Sequence, residues 1–384
     1  MIKLSRINES GFAQLREQWT QLLSLSEQNN IFLTWEWLYS WWQIFNKNKT
    51  LYLFAGYKND DIVAIYPFCL IITRTFWKSK IRQVGFLGTE KISSEYLDII
   101  CMPEYKQESI ECLLKYLIKH DNEWDIICFS DVSSDCSSLA LIKQSAKAFG
   151  LKYRENFSNV CPFIPLPESS DEMMQSLSKN MRYHVRRRSK ALEKLDANYI
   201  SMNKFDEINS GLDRLFDLHT QNWNARNQTG NFADTRVRKF HKAFSKRVAN
   251  KGWIRLTFIQ ISNEFVASLY GYEYGNIFWY YQAGMNPDYY QYSPGVVLFW
   301  KNIQESIRKG FTEFDCLRGT EDYKRRWTSN LRTTRTLKIY NRGFRSFLLS
   351  AYDYNKQWLK STTKALQDRM GLSVPEYERC NRNG

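Results

Sequence analysis

Residues 282–310 read QAGMNPDYYQYSPGVVLFWKNIQESIRKG, and the fold turns on how that stretch is parsed. An aromatic strand runs to Met285, the chain bends through Ser293, Pro294 and Gly295, and an amphipathic helix follows. Pro294 suits the first helical position, where its missing N–H would be an orphan anyway. Ser293 is a capping residue type, and Gly295 leaves the backbone uncovered. A strand that ends at a helix N-terminus exposes unpaired amides and a partial positive charge, which favours a phosphate or pyrophosphate. Gln291, Ser293, Pro294, Gly295 and Val296 span that turn and are the candidate phosphate-binding residues. A well-capped helix with no ligand would carry the same letters.

Working outward, the spacing of apolar residues predicts helices over NESGFAQLREQWTQLLSLS and over TWEWLYSWWQIF, the latter capped by Thr34. Two strands, TLYLFAGYK and DIVAIYPFCLIIT, are joined at the polar turn NDD as a hairpin. EYLDIICM, QESIECLLKYLIKH, WDIICFSDV and 139–149 then read as strand, helix, strand and helix. The order begins again after residue 165. A helical stretch opens on Ser169-x-x-Glu172, a capping box, with Leu177, Met181, Val185, Leu192 and Leu195 on one stripe. Strand ANYISM, two helices, three strands, the helix after Ser293, strand FTEFDCL, the basic strand TTRTLKIYN and a last helix complete the chain. This is a mixed α/β pattern repeated at the level of fold: 1–165, 166–345 and a helical tail, 346–384.

Composition narrows the function. A chain of 384 residues with 16% aromatics, 17 Gly and 8 Pro is globular throughout. Its formal charge of +14 favours an anionic partner such as nucleic acid, a lipid surface or a phosphorylated ligand. No leader-like apolar segment opens the sequence, and the longest apolar run, IVAIYPFCLII, is too short to span a bilayer. A cytoplasmic protein is expected, with peripheral attachment to a membrane left open. Eight cysteines without a C-x-x-C pair read as buried thiols, and the dispersed His120, His184, His219 and His241 read as ordinary surface or helix residues, so no metal is expected. Phosphate-loop and G-x-S-x-G signatures are missing, which counts against nucleotide hydrolysis and α/β-hydrolase chemistry.

Three further constellations stand out. FDCLRGTEDYKRRW, 314–327, gathers Asp315, Arg318, Glu321, Tyr323 and Lys324 at one strand end: carboxylates for a general base, a phenol for a general acid, cations for an anion clamp. KNMRYHVRRRSKALEK, 179–194, repeats Arg182, Arg186 and Lys190 at four-residue spacing beside Arg187 and Arg188, a cationic face suited to phosphate. Each would equally serve as a solvated charged surface. The tryptophans of IFLTWEWLYSWW read as core packing, with Glu36 a polar candidate among them.

Taken together, FLTWEWLYSWW, EYLDII, SLSKNMRYHVRRRSKALE, YYQAGMNPDYYQYSPGVVL and FDCLRGTEDYKRRW make the chain resemble the CelD-like or BioF2-like acetyltransferase group of the GNAT superfamily, close to the FemAB-type transferases. The resemblance implies two tandem GNAT-like units with a cleft between them, and the first, which has no Ser-Pro-Gly equivalent after EYLDIICMPEY, is expected to be the degenerate copy. It implies an acyl-CoA co-substrate, acetyl-CoA foremost, at 291–296, although Pro294 and Val296 stand where that family usually has small residues. It implies transfer of the acyl group to an amine of a small molecule or a sugar or envelope precursor, in polysaccharide or envelope assembly. Glu321 is then the first choice of base and Asp315 the second, Tyr323 the acid at the leaving thiolate, and Lys179, Arg182, Arg318 and Lys324 the substrate-binding cations. The FemAB relatives imply aminoacyl-tRNA as another donor. A non-catalytic module that binds nucleic acid or an anionic surface is the alternative from a different class. No pattern speaks to oligomeric state.

Overall fold

The computed structural model describes residues 1–74, 80–202 and 204–354. The described residues form two compact units, one of 1–159 with 333–354 and one of 160–332. In the first unit the elements run β1 (Lys3–Ile7), α1 (Glu9–Gln14), α2 (Arg16–Leu25), α3 (Trp35–Phe45), β2 (Lys49–Leu51), β3 (Leu53–Lys58), β4 (Asp61–Tyr66), β5 (Phe68–Arg74), β6 (Lys80–Phe86), β7 (Ile100–Cys101), α4 (Lys106–Lys119), β8 (Ile126–Ser133) and α5 (Ser138–Ala148). Strand β9 (Lys152–Pro165) carries the chain into the second unit. There follow α6 (Ser170–Ser176), α7 (Lys179–Glu193), β10 (Asn198–Met202), α8 (Phe205–Asn224), α9 (Thr235–Arg247), β11 (Ile254–Ile261), β12 (Glu264–Tyr274), β13 (Ile277–Met285), α10 (Pro294–Arg308), β14 (Glu313–Asp315) and α11 (Asp322–Arg325). Strand β15 (Leu331–Tyr340) returns the chain to the first unit, where α12 covers 344–354. The remainder of the expected helical tail lies outside the described residues.

Both units are mixed α/β, as the sequence predicts. In the first, the hairpin at NDD forms as expected, with Asn59 and Asp60 both at positive φ, 51° and 69°, as a tight two-residue turn requires. Its two arms nevertheless break, at Tyr52 and at Pro67. Pro67 has no N–H to give, and the Tyr52 amide donates to the Phe68 carbonyl at 3.1 Å, so the chain changes sheets there. Strands β3 and β4 pair in the order β1-β3-β4-β7, whereas β2 and β5 extend the order β15-β8-β6-β5-β2. Thr34 caps α3 by accepting from the Trp37 amide, and Trp37 and Trp41 are buried, the core role expected of that run. The single helix expected over 8–26 is two, α1 and α2, which meet at Leu15.

In the second unit the strand order is β10-β11-β12-β13-β14-β9. Ser169 caps α6 through the Glu172 amide, and the predicted stripe is buried: Leu177, Met181, Val185 and Leu192, joined by Met173, pack with Val297, Phe299, Phe278 and Trp327 on one face of the sheet, Leu195 half-buried at their edge. On the other face, α8, α9 and the 3₁₀ turn between them set Phe216, Phe232, His241 and Phe244 against Tyr270, Tyr272 and Tyr281. His219 and His241 are therefore core residues rather than surface ones. Burial pulls the His219 imidazole down to about 4 and that of His241 to about 3, so both are neutral near pH 7.

Candidate active site

Strands β12 and β13 pair from Tyr274↔Ile277 until Gly271↔Tyr280, then resume at Tyr270↔Gln282, which makes Tyr281 the extra residue of a β-bulge. On its other side β13 pairs with β14 only over Ile277–Trp279. The reason lies in where the chain goes after Asp315: the Cys316 amide donates to the Pro162 carbonyl at 2.9 Å and the Gly319 amide to the Val160 carbonyl at 3.1 Å. That chain follows β9 and leaves β13. From Tyr280 to Met285 the β14-facing edge of β13 therefore has no strand beside it among the described residues.

That open edge leads to the Ser-Pro-Gly turn. Asn286 accepts from the Asp288 amide at 3.0 Å and starts a 3₁₀ turn over Pro287–Tyr292. Ser293 then adopts left-handed backbone angles, φ 51° and ψ 50°, and its side chain makes no capping hydrogen bond. The expected serine cap is thus absent. A capping side chain works from the extended region, and the left-handed turn does not leave Ser293 in it. The Val296 amide donates to the Ser293 carbonyl at 3.1 Å, and Pro294 has no amide. A Cβ added at Gly295 would meet only Met285 Sδ, at 3.7 Å, an ordinary contact, and the residue is partly exposed, so no large side chain covers the backbone there. Arg188 of α7 donates to the Gln291 carbonyl and brings a cation to the turn. Burial, and then the charges of Arg188, Arg326 and Arg187, hold the His184 imidazole below its usual range.

The loop that follows β14 divides its candidates. Asp315 is fully buried; one carboxylate oxygen accepts from the Leu317 amide at 2.6 Å and the other from Arg332 at 3.0 Å. Lys324 is also buried, its Nζ donating to the Arg318 carbonyl at 2.7 Å and to Glu321 at 3.0 Å. Both are committed to holding the loop together. Glu321 keeps 48% of its side chain exposed, and Tyr323 is 37% exposed. The Tyr323 hydroxyl lies 3.1 Å from that of Tyr280 on β13, and loss of solvation beside Tyr280 and Glu321 pushes its pKa well above the usual 10. Trp327 stacks on Phe299 of α10 with centroids 4.9 Å apart and anchors the loop. Gly319 has φ 118°, and a Cβ there would overlap the Glu321 carboxylate.

The structure thus joins Glu321, Tyr323, Lys324 and Arg318 in one loop that touches β13 through the tyrosine pair, and ties 291–296 to α7 through Arg188. Arg182 donates to the carbonyls of Gln175 and Leu177, at 2.9 and 2.6 Å, and so fastens the end of α6. Lys179 is exposed at the first position of α7. Sequence reasoning missed Arg188 and Tyr280 as site residues. The arginine run was visible, but which of its members reaches the turn depends on how α7 packs on α10. Among the described residues no group of His, Cys, Asp and Glu could hold a metal ion.

This arrangement of strands and helices is shared. Residues 179–325 match the model of the acetyltransferase (GNAT) domain. That match lies wholly within the second unit. The crystal structure of FemX has the same fold, with a TM-score of 0.61 at 10% identity over 87% of this chain and 96% of that one. A protein of unknown function from Bacteroides thetaiotaomicron VPI-5482 is similar at a TM-score of 0.53, with 14% identity over 88% of this chain and 100% of that one. The C-terminal DUF2156 domain of an Agrobacterium fabrum protein is similar at 0.50, with 10% identity over 88% and 95%. No curated protein matches the sequence at a significant level.

Proposed function

We propose that the protein is a GNAT-type acyltransferase that moves an acyl group from acyl-CoA to an amine of a small-molecule or glycan-precursor acceptor. The observation that carries this reading is the parting of β13 from β14 beside the uncovered Gly295 backbone, with the Tyr280–Tyr323 pair at the parting. A thioester lying along the free edge of β13 would present its carbonyl oxygen to strand amides, which are preorganised donors for the oxyanion. Glu321, the exposed carboxylate, takes the proton from the attacking amine. The nitrogen adds to the carbonyl carbon, the tetrahedral intermediate collapses, and the thiolate leaves. Tyr323, with a pKa far above that of a thiol, stays protonated and steadies the thiolate by a hydrogen bond. Arg188, at the turn, faces the donor's phosphates.

A second reading has a specific observation behind it. With no amide at Pro294 and that of Val296 already bonded, the turn offers few donors to a pyrophosphate. An aminoacyl-tRNA ester asks less of that turn, and the FemX likeness supports such a donor only through the fold. One experiment separates the two: thermal shift with CoA and acetyl-CoA, beside an aminoacyl-transfer assay with charged tRNA, each on wild type and Gly295→Glu. Saturable stabilisation by CoA that the variant abolishes supports the first reading. Ribonuclease-sensitive transfer without any CoA response replaces it with the second.

A further inference from the structure

Helix α12 has its amphipathic faces reversed. Read through 344–354, FRSFLLSAYDY, the side turned to the rest of the first unit is Ser346, Leu349 and Asp353. The Ser346 hydroxyl donates to the Asp125 carbonyl at 2.7 Å, Leu349 packs against Ile81, Ile126 and Tyr340, and Asp353 accepts from Lys338 at 2.8 Å and from the Tyr340 hydroxyl at 2.7 Å. The opposite side carries Phe344, Phe347 and Leu348, flanked by Tyr352 and Tyr354. Phe344 is 75% exposed, Phe347 53% and Tyr354 66%. Five of the large apolar side chains exposed among the described residues thus belong to this one short helix. A water-facing apolar stripe of this kind marks a contact surface.

The charges around the stripe say what it contacts. Arg342 and Arg345 are exposed on the helix and its lead-in. Lys152 Nζ lies 4.9 Å from the centre of the Phe347 ring, and the Arg154 guanidinium 5.7 Å from that of Tyr354. Lys338 is already matched to Asp353, and Glu155, the nearby acid of β9, is paired with Lys143. Aromatic and leucine side chains rimmed by arginine and lysine are the composition of a helix that lies in a membrane interface, rings among the acyl ends and cations at the headgroups. A second copy would bring the same cations against these. We infer that α12 seats the protein on an anionic lipid bilayer, parallel to the surface, with Phe344, Phe347 and Leu348 inserted.

The test is flotation of the full chain with phosphatidylcholine vesicles, with and without phosphatidylglycerol, at low and high salt. The wild type should float with the anionic vesicles and much less with the zwitterionic ones, and salt should weaken it. Phe344→Ser with Phe347→Ser should cut the partitioning roughly tenfold or more, since both rings lose their insertion, while Ile72→Ser, an exposed apolar residue elsewhere, should change nothing. The melting temperature of the double variant should equal that of the wild type, because the rings are exposed. Failure to float, or equal flotation by the variant, overturns the inference. So does a fall in melting temperature, which would mean that the chain itself covers the face, and so does a wild-type dimer that the variant dissolves.

Discussion

Glu321 and Asp315 are carboxylates of one loop, and their surroundings give them different work. Asp315 is closed off, with a backbone amide on one oxygen and Arg332 on the other. Its replacement by Asn should destabilise the second unit by about 2–3 kcal/mol, the cost of leaving Arg332 facing a weakened partner at a partly buried site, and any loss of rate should follow the loss of folded protein. Glu321 is half-exposed but pairs with the buried Lys324 at 3.0 Å, so Glu321→Gln should lower the melting temperature slightly and lower kcat by roughly a hundredfold or more, far beyond the change in folded fraction. Urea denaturation and steady-state rates on both variants separate the roles; wild-type turnover in Glu321→Gln would remove the carboxylate base. The two glycines divide in the same way. Gly295→Ala has room for its methyl and should keep or slightly raise stability while weakening donor binding, whereas Gly319→Ala meets both a φ of 118° and the Glu321 carboxylate and should destabilise.

At the scale of elements, what the sequence makes legible is what is local. Thr34, Ser169 and the Asn59-Asp60 turn act as read, because a cap or a two-residue turn is decided within a few residues. The stripe of α7 is legible for the same reason. Ser293 misled the reading because a cap depends on backbone angles that the residue type does not fix. The sheet change at Tyr52 and Pro67, and the parting of β13 from β14, were illegible since both depend on which distant strand each segment finds: β14 follows β9, and nothing in FTEFDCL says so. The packing of the site loop on α10 belongs to this scale too. Trp327 stacks on Phe299, and Trp300 lies beyond it with centroids 6.2 Å apart. Trp327→Ala should cost about 3–5 kcal/mol and lower kcat further than the folded fraction explains, because Tyr323 loses its support. Trp327→Phe should recover most of both, and a variant that kept full activity would separate the loop from catalysis.

For the molecule as a whole, the two units differ in what acid does to them. Strand β15 lies far from the rest of the first unit in sequence order yet pairs with β8 there, Thr334 opposite Ser133, whereas the second unit is one continuous segment, and each unit carries its own buried titratable groups. The second unit holds His219 and His241, whose pKa values burial lowers from 6.5 to about 4 and about 3. Between those values and 6.5 the unfolded chain binds protons that the folded unit refuses, so the stability present above pH 6.5 drains away as pH falls toward 4. Each histidine withdraws on the order of 2–3 kcal/mol by pH 4.5. The first unit holds Glu27, Asp125 and Asp353, whose partners lower their pKa values from 4.5, 3.8 and 3.8. Their contribution is complete above those values and is lost only as pH falls below them, through the folded pKa values. Mild acid should therefore weaken the second unit while sparing the first. Peptide-resolved hydrogen exchange at pH 7.5 and pH 5, corrected for intrinsic rates, should show β12 and β13 losing protection while β3 and β4 keep theirs. His241→Gln with His219→Gln should flatten the response. Equal loss of protection in both units at pH 5 would mean that they unfold as one, and loss in the first alone would move the acid-sensitive groups there.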